Sequence, residues 1–307
     1  MLKASIDLGT NTCLLLIAEM RGEVVSEIIG DYSTMVRLGE GVDQKRELQS
    51  APMERVIKCL KDYSEKVKAA GLTPPDVVGV ATSQARDAKN SAEFFSRVQK
   101  ETGFQFRTLS GDEEAHFTFL GALLPKMEPS QTTVIDIGGG STEITTLKGG
   151  QSVDIGSVRL RERFLKADPV SASEFAACQK EIDQALQVFE LENQDWSKVS
   201  SFVGVAGTLT TLAQWQLDLP KFDREKIDSM VLTSEQVGQM IQKLKELSIA
   251  QRAQIPAIGP DRADVILPGA MILLSAMRTL GFEKCQVSTR GLRFGVLTLC
   301  GIKHKNT

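Results

Sequence analysis

The sequence predicts a duplicated α/β fold, two lobes with a cleft between them. Three observations carry this. A hairpin motif is written twice, first as Ile6-Asp7-Leu8-Gly9-Thr10-Asn11-Thr12 and again as Ile135-Asp136-Ile137-Gly138-Gly139-Gly140-Ser141. The strand pattern around the first copy restarts around the second. Between them, Pro125-Lys126-Met127-Glu128-Pro129 sets two prolines about a short charged stretch, which suits a linker. The expected lobes are 1–125 and 126–307, in keeping with 307 residues and roughly 150 per domain.

In chain order, residues 3–8, 12–20 and 23–30 read as three strands, with Gly22 turning the second hairpin. A helix over 50–70 has Ser50 as its expected N-cap, Pro52 in its first turn and Gly71 as its stop. A short buried strand at 76–81, an amphipathic helix at 91–101 ending at Gly103, and a strand at 104–109 follow. Ser110 and Glu113 have the spacing of a capping box, so a helix starts there. The second lobe repeats the meander at 131–137, 141–147 and 150–155, with helices at 158–166 and 172–190. A strand at 199–205 leads into a helix from Gly207. Helices at 234–246 and 262–280, a strand at 285–289 and a helix at 291–302 complete the chain.

The hairpins point to anion binding. Glycine lets backbone N–H groups turn toward a bound anion without a clashing Cβ. A tight turn needs one or two glycines. The third in Gly138-Gly139-Gly140 is explained by close approach of phosphate oxygens, the alternative being a flexible hairpin tip. Asp7 and Asp136, at strand ends, are placed to hold a metal ion or water beside the anion. A further anion site is expected where a strand runs into Gly207 and Thr208 and a helix begins, because free N–H groups and the helix dipole attract phosphate there; helix capping by Thr208 is the alternative.

Glu113 is occupied by the capping box. Glu114, about 100° further around the helix, is free to accept a proton from water attacking phosphorus. Arg86, after the strand at 76–81, suits bidentate phosphate binding, with an ion pair to Asp87 as the alternative. Asp7, Glu114, Asp136 and Glu143 would all face an anionic ligand, so Mg²⁺ or a similar hard divalent cation is expected among them. Arg159, Arg163 and Lys166 share one helix face, either as a guide for a polyanion or as a solvated surface. His116 reads as an ordinary helix residue, and Trp196 and Trp215 as packing residues.

Net charge is −3, which excludes a global attraction to nucleic acid or anionic membrane. Five scattered cysteines without a CxxC favour free buried thiols over a disulfide frame. His116 and His304, the two histidines, are too far apart to suggest zinc. The apolar run Leu14–Ala18 is short and has Asp7 and Glu19 beside it, so it reads as a buried strand rather than a membrane span. A cytoplasmic protein is expected.

Taken together, the motifs resemble the exopolyphosphatase / guanosine pentaphosphate phosphohydrolase (Ppx/GppA) family of the actin-like ATPase superfamily. The matching segments are 7–12, Val36-Arg37-Leu38-Gly39, 81–88, 110–115, 134–143, 158–164, 207–210 and 262–269, in order along the whole chain. The resemblance implies two actin-like (ribonuclease H-like) lobes with an interlobe active site. It implies that Glu114 is the catalytic base and that Asp136 and Glu143 bind metal and water. Gly138–Ser141 would form the phosphate loop beside the first hairpin (Gly9, Thr10, Asn11), with Arg86 and Arg262 as basic contacts. The implied reaction is hydrolysis of a terminal phosphoanhydride, releasing orthophosphate from inorganic polyphosphate or converting pppGpp to ppGpp. A homodimer is a further expectation. A non-catalytic alarmone or polyphosphate sensor and a small kinase are the alternatives.

Two departures stand out. Where the family often reads Ser-Asp-Gly-x-Leu-Arg-Glu-Gly, this chain reads Ser288-Thr289-Arg290-Gly291-Leu292-Arg293-Phe294-Gly295. Acids are missing at Thr289 and Phe294, and Arg290 is added. The chain also lacks the additional C-terminal domains of the long forms, which favours short polyphosphates or a nucleotide as substrate.

Overall fold

The computed structural model describes residues 1–191 and 199–301. Trp196, His304 and the end of the expected helix 291–302 lie outside the described residues, as does the side chain of Cys300. The chain forms two compact units. One is Met1–Gly121 together with the segment from Gly291, the other Ala122–Arg290.

The first unit is built on a sheet of order β3-β2-β1-β4-β5. Strands β1 (Leu2–Leu8), β2 (Thr12–Arg21) and β3 (Val24–Met35) form the antiparallel meander, and β4 (Val77–Ala81) and β5 (Phe106–Thr108) add in parallel. Its helices are α1 (Val42–Lys45), α2 (Ser50–Ala69), α3 (Ser83–Asp87), α4 (Ser91–Thr102) and α5 (Gly111–Ala122). Successive strand residues point to opposite faces, and β2 is apolar on both. Cys13, Leu15 and Ile17 pack in one core with Val56, Leu60 and Tyr63 of α2. Leu16, Ala18 and Met20 pack on the other face with Phe294 and Leu297. Burial on both faces is why Leu14–Ala18 reads as a continuous apolar run. Helix α2 begins one residue earlier than its expected cap: Gln49 is the N-cap, and Ser50 is already helical.

The assignment of residues 126–307 to one lobe is corrected by this packing. After Arg290 the chain returns to the first sheet, where Leu292 and Val296 join Val80 and Leu109 in a small core. The closing turn α14 (Leu292–Gly295) fits against α5 because both are glycine there. A Cβ at Gly121 would overlap the Gly291 carbonyl, and one at Gly295 the Phe117 carbonyl. Phe294 thus fills a core position in a place where an acid was expected. Residues 296–301 continue as a 3-10 helix.

The second unit repeats the plan. Strands β6 (Thr132–Ile137), β7 (Thr142–Thr146) and β8 (Gly149–Val153) form the meander, and β9 (Ser201–Val205) pairs in parallel with β6. Next comes β10 (Val231–Thr233), three residues and too short to show alternation in sequence, and then β11 (Lys284–Val287). The order is β10-β11-β9-β6-β7-β8, with β11 parallel to β9 and β10 antiparallel at the edge. A meander followed by parallel strands, present in both units, is the expected actin-like, ribonuclease H-like pattern.

The helices of this unit are α6 (Ser157–Phe164), α7 (Ala172–Leu191), α8 (Ala206–Gln216), α9 (Arg224–Asp228), α10 (Ser234–Glu246), α11 (Ile249–Ala253), α12 (Gly259–Arg262) and α13 (Ile266–Leu280). The expected helix 262–280 is two helices. Pro268 has no N–H to return to the Asp264 carbonyl, so α13 starts afresh at Ile266. Buried almost all round, α13 forms the centre of this core, as a helix apolar on every side should. Cys13, Cys59, Cys178 and Cys285 are buried and unbridged. Among the described residues no helix is long and apolar enough to cross a membrane.

Candidate active site

In the first unit the β1–β2 hairpin closes with Gly9 N–H donating to the Thr12 carbonyl at 2.9 Å. Its other carbonyls are held from one side. The Asn11 carbonyl accepts from the N–H groups of Val36 and Arg37, and that of Thr10 from Gly39, each at 2.9 Å. Gly39 is required there, since a Cβ would overlap the Thr10 methyl group. With the carbonyls fixed, the N–H groups of Thr10 and Asn11 make no hydrogen bond among the described residues. The Asn11 side chain is buried, yet among the described residues neither its Nδ2 nor its Oδ1 has a partner. Buried amides are nearly always satisfied, so a ligand or water is the expected partner of this one. The Thr10 hydroxyl is already committed, lying 2.9 Å from Ser83 Oγ and donating to Gln84 Oε1 at 3.0 Å. Thr10 can therefore offer an anion its backbone N–H rather than its hydroxyl proton.

Arg86 and Glu114 come together. Arg86 Nη1 donates to Glu114 Oε2 at 2.7 Å and to the Leu109 carbonyl at 2.9 Å. The pairing of Arg86 with Asp87 does not occur; Asp87 lies 3.8 Å from Arg46 instead. The capping box forms as expected: Glu113 Oε2 accepts from Ser110 N–H at 3.0 Å, and Ser110 Oγ accepts from Glu113 N–H at 3.2 Å. Glu114 is buried, and His116 is an exposed helix residue. Asp7 is half-buried at the end of β1. Burial pushes its carboxyl pKa up to about 6, with Arg293 opposing the shift.

The second hairpin matches the first. Gly138 N–H donates to the Ser141 carbonyl at 3.0 Å. The carbonyls of this loop are held by the start of α6. Gly138 accepts from Ser157 N–H at 3.0 Å, and Gly139 from Val158 and Arg159 at 2.9 and 3.0 Å. Gly140 accepts from Arg159 Nε at 2.7 Å. Gly156 lies so close to Gly139 and Gly140 that a Cβ would overlap their backbone. Among the described residues the N–H groups of Gly139, Gly140 and Ser141 have no partner. Arg159 is thus buried as a clamp on the loop, and the stripe of Arg159, Arg163 and Lys166 does not form. Lys166 lies beyond the end of α6.

Asp136 stands opposite Glu143 across the β6–β7 ladder. Opposed residues of an antiparallel pair share a face with Cβ atoms about 5 Å apart, and like charges there repel. Glu143 is 1% exposed and accepts from Ser152 Oγ at 2.6 Å. Two opposed oxygen donors suit a hard cation that keeps waters and takes phosphate oxygens as its remaining ligands, as Mg²⁺ does. Among the described residues no three His, Cys, Asp or Glu side chains gather to hold a metal by themselves.

Val205 pairs with Asp136, so the turn into α8 lies beside the glycine loop at the carboxyl edge of the sheet. Such an edge is where open α/β sheets bind ligands. Ala206, the first residue of α8, has φ of 69°, a strained conformation for a residue with a Cβ. The next residue, Gly207, lets the Arg262 guanidinium pack against the backbone, in the place a Cβ would occupy. Thr208 is buried against Gly269, a contact that leaves no room for a larger residue at 269. Arg262 and Thr208 therefore both sit at the N-terminus of α8. Sequence reasoning missed Ser152 and the clamping part of Arg159. For Ser152 the signal was a hydroxyl two strands from the second Asp, too weak to read without the register.

Residues 16–301 match the model of the Ppx/GppA phosphatase family. The bifunctional 3-dehydroquinate synthase/phosphatase of Fusobacterium nucleatum is 32% identical over 99% of this chain, which spans 47% of that longer protein. Exopolyphosphatase 2 of Mycobacterium tuberculosis is 31% identical, over 97% of this chain and 98% of the relative. The crystal structure of the Aquifex aeolicus member of the Ppx/GppA family is 30% identical, with a TM-score of 0.80 over 100% of this chain and 99% of that one. The chain belongs to the Ppx/GppA phosphatase family.

Proposed function

We propose that this protein hydrolyses the terminal phosphoanhydride of inorganic polyphosphate and releases orthophosphate. The observation that carries the reading is the pair of matched hairpins in which the carbonyls of Thr10, Asn11, Gly138, Gly139 and Gly140 are held and the N–H groups of Thr10, Asn11, Gly139, Gly140 and Ser141 are left for an anion. The buried amide of Asn11 points to the same use of the first hairpin. Curated relatives named as exopolyphosphatases support polyphosphate as the substrate class.

Glu114 is the general base that takes a proton from the attacking water. Arg86 holds Glu114 with Nη1, and its remaining nitrogens are available to a phosphate oxygen. The N–H groups of Thr10, Asn11, Gly139, Gly140 and Ser141, with Arg262 and the N-terminus of α8, neutralise charge on the phosphates as it moves toward the leaving oxygen. Asp136 and Glu143 are the residues we assign to hold a divalent cation, Mg²⁺ by preference, and Asp7 is assigned the same task on the first unit. The cation would supply charge neutralisation and ordering of phosphate oxygens.

Conversion of pppGpp to ppGpp uses the same chemistry and is the second substrate we propose, and a homodimer the oligomeric state. Measuring orthophosphate release with Mg²⁺ from short polyphosphate, long polyphosphate and pppGpp tests the reading. Release from polyphosphate that is lost in Glu114→Gln supports it. Tight binding with no turnover in the wild type would make the protein a sensor.

A further inference from the structure

Strand β4 lies between β1 and β5 in the first sheet. What leaves its carboxyl end, Thr82 and then α3, therefore stands between what leaves its two neighbours. On one side Leu8 pairs with Ala81, so the first hairpin starts at the level where α3 starts. On the other side Thr108 pairs with Ala81, and Leu109 follows on the way to α5. Helix α3 holds a carbonyl on each side. Gln84 Nε2 donates to the Leu8 carbonyl at 2.8 Å, and Arg86 Nη1 donates to that of Leu109 at 2.9 Å. Two residues apart on a helix, these side chains leave it about 200° apart, as two opposite neighbours require.

The Gln84 amide fixes more than one carbonyl. A carbonyl oxygen can only accept, so the amide nitrogen faces Leu8 and the amide oxygen faces Thr10. Thr10 Oγ1 then gives its single proton to Gln84 Oε1 at 3.0 Å, and the Ser83 hydroxyl, 2.9 Å away, donates to Thr10. The chain of bonds runs from Ser83 to Thr10 to Gln84 to Leu8, and all three polar side chains in it are buried. A broken link there would leave a buried polar group without a partner, which holds the chain in one arrangement. Leu8 and Thr10 are the residues on either side of the hairpin glycine, Gly9. One amide thus grips the hairpin before and after its turn.

We propose that Gln84 is a positioning residue: it aims the backbone N–H groups of Thr10 and Asn11 at the bound phosphate, and it registers them against Arg86 on the far side of the same helix. This inference rests on the proposed hydrolysis at the hairpins. Gln84 itself touches no substrate. It keeps the Thr10 hydroxyl turned away from the phosphate during binding, so that the first hairpin grips the anion by backbone alone. The competing arrangement has the hydroxyl leave Gln84 and turn to a phosphate oxygen. The two differ in what a change at Gln84 does to affinity.

The test measures orthophosphate release from polyphosphate with Mg²⁺ in wild type, Gln84→Met, Thr10→Val and the double variant. Gln84→Met keeps the side-chain volume and loses both ends of the amide. It should raise KM about tenfold, the scale of one weakened contact to an anion. Its kcat should fall less than about threefold, because Glu114 keeps its Arg86 contact. Thr10→Val should raise KM to the same extent, and the double variant should be no worse than either, since all three break one chain. Binding of tripolyphosphate to the Glu114→Gln protein, with and without Gln84→Met, should show the same loss without turnover. If KM rises in Thr10→Val but is unchanged or lower in Gln84→Met, the hydroxyl serves the phosphate and the proposal is overturned. Additive losses in the double variant would overturn it too. Gln84→Leu is a second variant of similar size, and loss of the fold in both would make Gln84 a structural residue alone. If Gln84→Met weakens tripolyphosphate binding while the wild type releases no orthophosphate, the hydrolase reading falls and the positioning of the hairpin stands.

Discussion

Arg86 Nη1 lies 2.7 Å from Glu114 Oε2, a charge-assisted contact between a half-buried guanidinium and a buried carboxylate. The same nitrogen donates to the Leu109 carbonyl, so Arg86 ties the end of β5 to the start of α5 and fixes the direction of Glu114. Arg86→Ala should lower kcat about a hundredfold, in the range seen when one charge-stabilising donor is removed. It should also destabilise the protein by about 2 kcal/mol, because a buried carboxylate loses a charge-assisted hydrogen bond. The double variant Arg86→Ala/Glu114→Gln should recover most of that stability in denaturant melts without recovering activity. A double variant no more stable than Arg86→Ala would show that the pair is not coupled.

The opposed carboxylates of Asp136 and Glu143 predict that metal-free protein carries a repulsion which metal relieves. In chelator, Glu143→Gln should be more stable than wild type by about 1 kcal/mol. With Mg²⁺ it should be less active and should lose the metal-dependent rise in melting temperature. Retention of that rise would move the metal to other residues.

Asp7 gives a pH dependence whose sign is set by its raised pKa. A carboxyl that titrates near 6 when folded and near 3.8 when unfolded binds its proton more tightly in the native state. Its contribution is complete below the unfolded value and is lost as pH rises through about 6, amounting to at most about 3 kcal/mol. Metal-free Asp7→Asn should therefore gain stability relative to wild type between pH 4 and 7, as read by urea melts. Parallel pH profiles for the two proteins would contradict the assignment.

Gly207 and Arg262 are linked by exclusion, since a side chain at 207 would occupy the place of the guanidinium. Arg262 is long enough to swing away, so Gly207→Ala should keep the fold and lower kcat/KM about tenfold. Adding Arg262→Ala to it should cost little more, as expected of two residues acting through one contact. Additive losses in steady-state kinetics would separate them.

What was legible in the sequence was what local spacing encodes. The hairpins could be read because glycine and Asp recur at fixed offsets. The spacing of Ser110 and Glu113 revealed the capping box. Arg159 was misread because a helical wheel shows which residues share a face but not that the Gly140 carbonyl needs a donor. The return of the chain after Arg290 was missed for a related reason: Gly121, Gly291 and Gly295 meet through a long-range close approach that no local pattern announces. The opposition of Asp136 and Glu143 follows from a two-strand register, which is set by the tightness of a turn known only once folded.

The most direct test of the account is orthophosphate release from polyphosphate by Glu114→Gln compared with wild type, at saturating Mg²⁺ and with substrate binding measured on both proteins. The account predicts that kcat falls by at least about a hundredfold, the scale of a lost general base, while affinity for polyphosphate and the melting temperature stay near wild type. Near-normal turnover in Glu114→Gln would contradict it.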